Sequence, residues 1–176
     1  MKKLPLVLLI ALTIASSNVV LGQDEVSFGS KVTTSSTINN FEKGNMQIGI
    51  EGLNFGYGSG RVIGSVGVRY GYFAANNSLL FLNGEIGTWG SSYQYYKLGI
   101  HFRQYFTKNN IKPYIQLGTS VGWDYFYEDK PVMFNEITIG GGATFQVGKF
   151  GFDVGMQLNI WDNINLKPSV GVSYSF

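Results

Sequence analysis

His101 is the only imidazole in the 176 residues, and the chain has no cysteine. Acid–base or nucleophilic chemistry would therefore centre on His101. Strand periodicity puts it on one face with Arg103, and Glu85, Ser65 and Ser120 fall on the same face. A Ser–His–acid constellation needs the hydroxyl within hydrogen-bond reach of the ring, and spacing alone brings neither serine there. A satisfied interior histidine is the favoured reading. Zinc needs clustered His or Cys ligands, which the sequence lacks. Asp124, Glu128 and Asp129 stand close together but without the D-x-D-x-D-G spacing of a calcium loop. The strings Gly140-Gly141-Gly142 and Gly56-Tyr57-Gly58-Ser59-Gly60 are not followed by the helix that a phosphate site requires. No catalytic residue, metal or cofactor is expected, and the chain does not read as an enzyme.

The elements that would carry these residues come from composition and periodicity. Met1-Lys2-Lys3 is followed by an apolar run from Leu4 to Ala15 and then by small residues, the three-part pattern of a secretory signal peptide. The run is short for a membrane helix, which needs about 20 residues. Cleavage is expected after Val20-Leu21-Gly22, with a site near Ser17 as the second choice. Residues 1–22 are thus expected to leave, 23–44 to form a polar tail, and 45–176 to form one domain. Within 23–44, Val26, Phe28 and Val32 are the residues that could add a short strand. Without Lys2 and Lys3 the remaining Lys and Arg equal the 11 Asp and Glu, so nothing suggests a nucleic-acid partner. Glycine, at 24 residues, is about twice its usual ~7% share, and charged residues, at 14%, fall well below the typical ~25%. Glycine at this density relieves crowding in strongly curved sheets.

Period-two alternation predicts eight strands and no amphipathic helix. The last is clearest: Leu166, Pro168, Val170, Val172, Tyr174 and Phe176 share one face, with Lys167, Ser169, Gly171, Ser173 and Ser175 opposite. The first slips phase near Gly52-Leu53, where a bulge is expected. Alternation does not say which face lies inside. Strands of about 10–12 residues match the tilted span of a membrane strand, ~9–11 residues. Aromatics on the apolar face gather near strand ends: Tyr70, Tyr72, Phe106, Phe150, Phe152 and Tyr174 at one rim, Tyr96 and Trp123 at the other. Such girdles belong to membrane interfaces. The predicted fold class is all-β, an eight-stranded antiparallel up-and-down transmembrane β-barrel.

The closing VGVSYSF, with Phe176 last and Tyr174 two before it, resembles the final strand of bacterial outer-membrane barrels. With the export signal and eight strands, residues from about 45 onward resemble the small OmpA/OmpX-like outer-membrane β-barrel domain family. The resemblance implies an outer-membrane location in a Gram-negative cell and both termini in the periplasm. It implies that Tyr174 and Phe176 are the signal read by the barrel-assembly machinery. The implied surroundings are outer-membrane lipid and lipopolysaccharide, around a monomer. It leaves function open among structural or surface-interaction roles, adhesion, and, less favoured, lipid modification. The one long external connection, 125–136, carries Tyr125, Phe126, Tyr127, Glu128 and Asp129, which could touch a partner or glycan. A loop resting on lipopolysaccharide is favoured over it.

An eight-stranded barrel has an interior just wide enough for side chains. The inward face should hold a charge cluster of Arg69, Glu85, His101, Arg103 and Asp153, together with Lys97, Gln116, Gln157 and Lys167. The lumen is therefore expected to be packed and not an open pore. Glu85 is expected to act as hub, pairing with Arg69 or Arg103.

Overall fold

The computed structural model describes residues 40–58, 61–89, 94–106, 109–125, 132–160 and 164–176. They form β1 (Met46–Gly58), β2 (Arg61–Ala75), β3 (Ser78–Trp89), β4 (Gln94–Tyr105), β5 (Ile111–Tyr125), β6 (Val132–Val147), β7 (Phe150–Ile160) and β8 (Ile164–Ser175). Each strand pairs antiparallel with its neighbour in sequence, and β1 pairs with β8 to close the sheet. This seam joins residues 47–51 to residues 171–175, so over that stretch neither strand presents an open sheet edge. The expected eight-stranded up-and-down barrel is what forms. The β1–β2 register shifts between Glu51 and Asn54, where the alternation slips.

The two faces have opposite polarity to a soluble barrel. Leu82 and Leu98, on the outer wall, are 52% and 58% exposed, whereas the inward Arg103 is 0% exposed. A lumen this narrow can take large inward side chains only where the neighbouring strand withdraws. His101 lies directly across from Gly118, Tyr95 from Gly87, and Phe134 from Gly122. A Cβ on Gly118 would sit 2.1 Å from His101 Nδ1, and one on Gly87 or Gly122 would sit 2.2 Å from the facing ring's Cζ. Much of the glycine surplus therefore consists of niches for the lumen's contents.

Both ends of the described barrel, Met46 and Phe176, lie at one rim, called here the near rim, with Met46 N donating to Phe176 O at 2.8 Å and Phe176 N to Met46 O at 2.9 Å. The near-rim turns are tight. Gly148, with φ of 58°, opens the two-residue Gly148–Lys149 turn, a position that favours glycine. Asn77 takes φ of 63° in the β2–β3 turn, a region asparagine tolerates. Of the expected loop contacts, Phe126, Tyr127, Glu128 and Asp129 lie outside the described residues, as do residues 1–39 with the expected export signal. The expected 125–136 connection is corrected, since Tyr125 ends β5 and residues 132–136 belong to β6, whose alternation continues into them.

The assignment of 23–44 to a tail is corrected at its C-terminal end. Residues 40–44 cap the near rim: Asn77 N donates to Phe41 O at 2.7 Å, Gly44 N to Phe73 O at 3.0 Å, and Asn40 Nδ2 to Gly148 O at 2.5 Å. The reason is the open end of the lumen. Phe41 is fully buried there against Phe73, Tyr105 and Tyr114, with ring centroids 5.0 Å and 4.5 Å from the first two.

Candidate functional site

The lumen is filled in layers. Behind the near-rim aromatic cap sits the first ion cluster. Glu51 Oε2 accepts from Arg69 Nη1 at 2.6 Å and from Arg103 Nη2 at 3.1 Å. Asp153 Oδ2 accepts from Arg69 Nη2, and from Arg103 Nη1 at 3.2 Å. Thr144 donates to the other Asp153 oxygen, and Asn83 Nδ2 to Glu51 Oε1 at 3.2 Å. Arg103 also donates to Gln116 Oε1 from Nε at 3.0 Å and from Nη2 at 2.7 Å. Its guanidinium lies 4.1 Å from the Tyr114 ring centroid. Two carboxylates thus bridge two guanidiniums, and their formal charges cancel. Buried charges are tolerated only with such pairing and hydrogen bonding.

A second cluster lies toward the far rim. Lys97 Nζ stands 3.0 Å from Glu85 Oε2 and 2.9 Å from Glu136 Oε1, and Lys167 Nζ lies 3.6 Å from Glu85 Oε1. Tyr95 Oη donates to Glu85 at 2.7 Å. Here too, two cations meet two carboxylates. Tyr95 and Phe134 are buried at this end.

The structure also corrects the expected pairing of Glu85. Glu85 is buried in the lumen, but it pairs with Lys97 and Lys167 and not with Arg69 or Arg103. Register decides this. Glu85 faces Lys97 directly on β4, whereas Arg103 on the same strand faces Leu79, far along β3. Arg69 faces Asn83, a step nearer the first cluster. The real hubs there are Glu51, which the sequence reading missed, and Asp153. Glu51 sits at the phase slip of β1, where alternation is hardest to extend. Glu136 and the inward aromatics Phe73, Phe81, Tyr95, Tyr105 and Tyr114 were also missed. Their phase was the available signal: Phe81 shares a face with Glu85, and Tyr95 with Lys97.

His101 is buried between the clusters, stacked on Phe81 with centroids 5.2 Å apart. Its Nε2 lies 3.3 Å from Ser120 Oγ and its Nδ1 3.4 Å from Gln116 Nε2. A serine–histidine contact therefore exists. The second ring nitrogen meets an amide, however, where a triad would set a carboxylate, and both residues are buried inside the packed lumen. Tyr174 and Phe176 lie outward at the near rim with their rings stacked at 6.1 Å, and Phe150 contacts Tyr174 edge-on at 5.2 Å. Tyr125 is exposed at the end of β5 and packs edge-on against Tyr96 at 5.6 Å. No group of metal-ligating side chains occurs among the described residues.

A closed sheet with an apolar outer wall and a filled, charge-paired interior defines a small β-barrel of the membrane-protein type. Solved structures with this fold include the N-terminal β-barrel domain of Pseudomonas aeruginosa OprF, with a TM-score of 0.62 at 13% identity, covering 76% of this chain and 98% of that one. Neisserial surface protein A (NspA) aligns with a TM-score of 0.57 at 15% identity, covering 75% and 96%. Ail, the attachment invasion locus protein of Yersinia pestis, aligns with a TM-score of 0.50 at 14% identity, covering 76% and 99%. At these identities the likeness is one of fold. No family description and no curated protein matches the chain.

Proposed function

We propose that this chain is an outer-membrane protein of a Gram-negative bacterium, exported by a cleaved signal peptide, with a structural or surface-interaction role and no transport through its lumen. The observation that carries this reading is the inverted polarity of the barrel. Large apolar side chains such as Ile50, Leu82, Ile100 and Val154 cover its outer wall, while Arg69, Arg103, Lys97 and Asp153 are buried within. That arrangement has a low free energy only when hydrocarbon surrounds the wall. The aromatic girdles add support, since Tyr72, Phe106, Phe150 and Tyr174 are exposed toward the near rim and Tyr96, Trp123 and Tyr125 toward the far rim. The charged occupants of the lumen pair with one another, which supports a reading without transport. The Ser120–His101 pair is read as a structural contact, because it lies inside that packing.

Fractionation combined with gel mobility tests the reading. The protein should sediment with outer membranes and, unheated, run at a different position in SDS from the boiled sample. Recovery in the soluble periplasmic fraction, with identical mobility before and after boiling, would overturn it.

A further inference from the structure

We propose that the outer wall holds a site for one glycerophospholipid of net negative charge, with its headgroup at Lys149 and an acyl chain in a groove that climbs from Phe150 to Leu98. The proposal rests on the outer-membrane reading above.

The wall carries a groove of about 550 Å³ whose exposed lining is almost wholly apolar. Its direction follows from register. Phe150 pairs with Tyr174, which pairs with Ile48, and across the groove Val68 pairs with Gly84, which pairs with Leu98. Phe150 opens β7 at the near rim, whereas Leu98 lies in the middle of β4. The groove therefore runs obliquely from the rim to the middle of the wall. The hydrocarbon core of a bilayer is about 30 Å thick, so this path covers one leaflet, the reach of a single acyl chain.

Gly84 makes the groove. On the same face of β3, Leu82 and Ile86 are exposed side chains, and between them Gly84 leaves a gap. A Cβ there would meet only Val68 Cγ2, at 3.9 Å. Gly84 is thus not required by packing, unlike Gly118 or Gly87, whose positions are filled by facing rings.

One cation, Lys149, stands at the rim end of the groove. Lys149 Nζ lies 5.8 Å from the centroid of the Tyr174 ring, and the Phe150 and Tyr174 rings line the groove beside it. An ammonium over an aromatic ring at the headgroup level, next to an apolar surface groove, matches both halves of an anionic phospholipid. Lysine near the surface attracts anionic lipid by about 1 kcal/mol per residue, which is a several-fold preference.

The test uses the full mature protein, folded into nanodiscs of equal phosphatidylglycerol and phosphatidylcholine, with retained lipid read by native mass spectrometry. Wild type should carry one lipid, enriched several-fold in phosphatidylglycerol. Lys149→Gln should bring the retained lipid back to the one-to-one bulk ratio. Gly84→Leu, which the open space accommodates, should lower retained lipid at least fivefold while heat-dependent mobility stays unchanged. Wild-type adducts at the bulk ratio would overturn the proposal, as would undiminished retention in Gly84→Leu or an undiminished preference in Lys149→Gln. Failure of the wild type to enter nanodiscs or to show heat-dependent mobility would instead bring down the outer-membrane reading, and the site with it.

Discussion

Asp153 accepts from Arg69, Arg103 and Thr144 within the lumen. Asp153→Ala leaves two guanidiniums short of one bridging carboxylate. It should destabilise the barrel by about 3–5 kcal/mol, the range for breaking a buried pair, as read by denaturant unfolding in lipid vesicles. Glu85→Ala should cost less, because Lys97 keeps Glu136 at 2.9 Å. Equal losses in the two variants would show that Glu136 does not compensate Lys97 for the loss of Glu85. Gly118→Ala places a methyl against His101 and should cost about 1–3 kcal/mol from overpacking. The same change made in His101→Ala should cost far less, since the ring it would strike is gone. An unchanged cost in the double variant would show that the niche is not what Gly118 supplies. That Arg69, Arg103, His101 and Asp153 share the polar face was legible in the sequence from strand phase, and strand length with the aromatic rims pointed to that face as the inner one. Their partners were not legible. Phase says nothing of height along the barrel, so Glu85 was matched to arginines on neighbouring strands when the β3–β4 register set it against Lys97.

At the scale of the element, all eight strands were legible, because inner and outer faces meet different solvents and alternation is strong. The β1 slip was legible as a break in that alternation. The near-rim cap was not, since Phe41 sits in a polar stretch with no period, and only the open end of the lumen explains its burial. Phe41→Ala should lower stability by about 3–5 kcal/mol, the usual loss for a buried phenylalanine, again by denaturant unfolding. A change below ~0.5 kcal/mol, the range of neutral surface substitutions, would restore the tail assignment. The seam between β1 and β8 makes a separate prediction. Phe176 exchanges two main-chain hydrogen bonds with Met46 and stacks on Tyr174 at the rim. Deleting Phe176 should reduce the yield of inserted barrel and leave protein in the periplasm. Wild-type insertion would show that the seam closes without it.

At the scale of the whole molecule, period two left the sign of the barrel open. Strand length and the aromatic rims pointed to an apolar exterior, and the structure gives the physical reason. The two ion clusters, each of two cations and two carboxylates, make a charged interior affordable only because every member is paired. The packed lumen should show no steady single-channel conductance in planar bilayers. The central claim is that the apolar wall faces lipid, and the absence of cysteine allows it to be tested directly. Single cysteines at Leu80, Leu82, Ile86 and, for the opposite phase, Asn83 can each carry a spin label in protein folded into vesicles. Collision rates with oxygen, which concentrates in hydrocarbon, and with a water-soluble nickel chelate then report each label's surroundings. Labels at Leu80, Leu82 and Ile86 should collide freely with oxygen and little with nickel, and the label at Asn83 should be shielded from both. High nickel and low oxygen accessibility at Leu82 and Ile86 would place that wall in water and contradict the account.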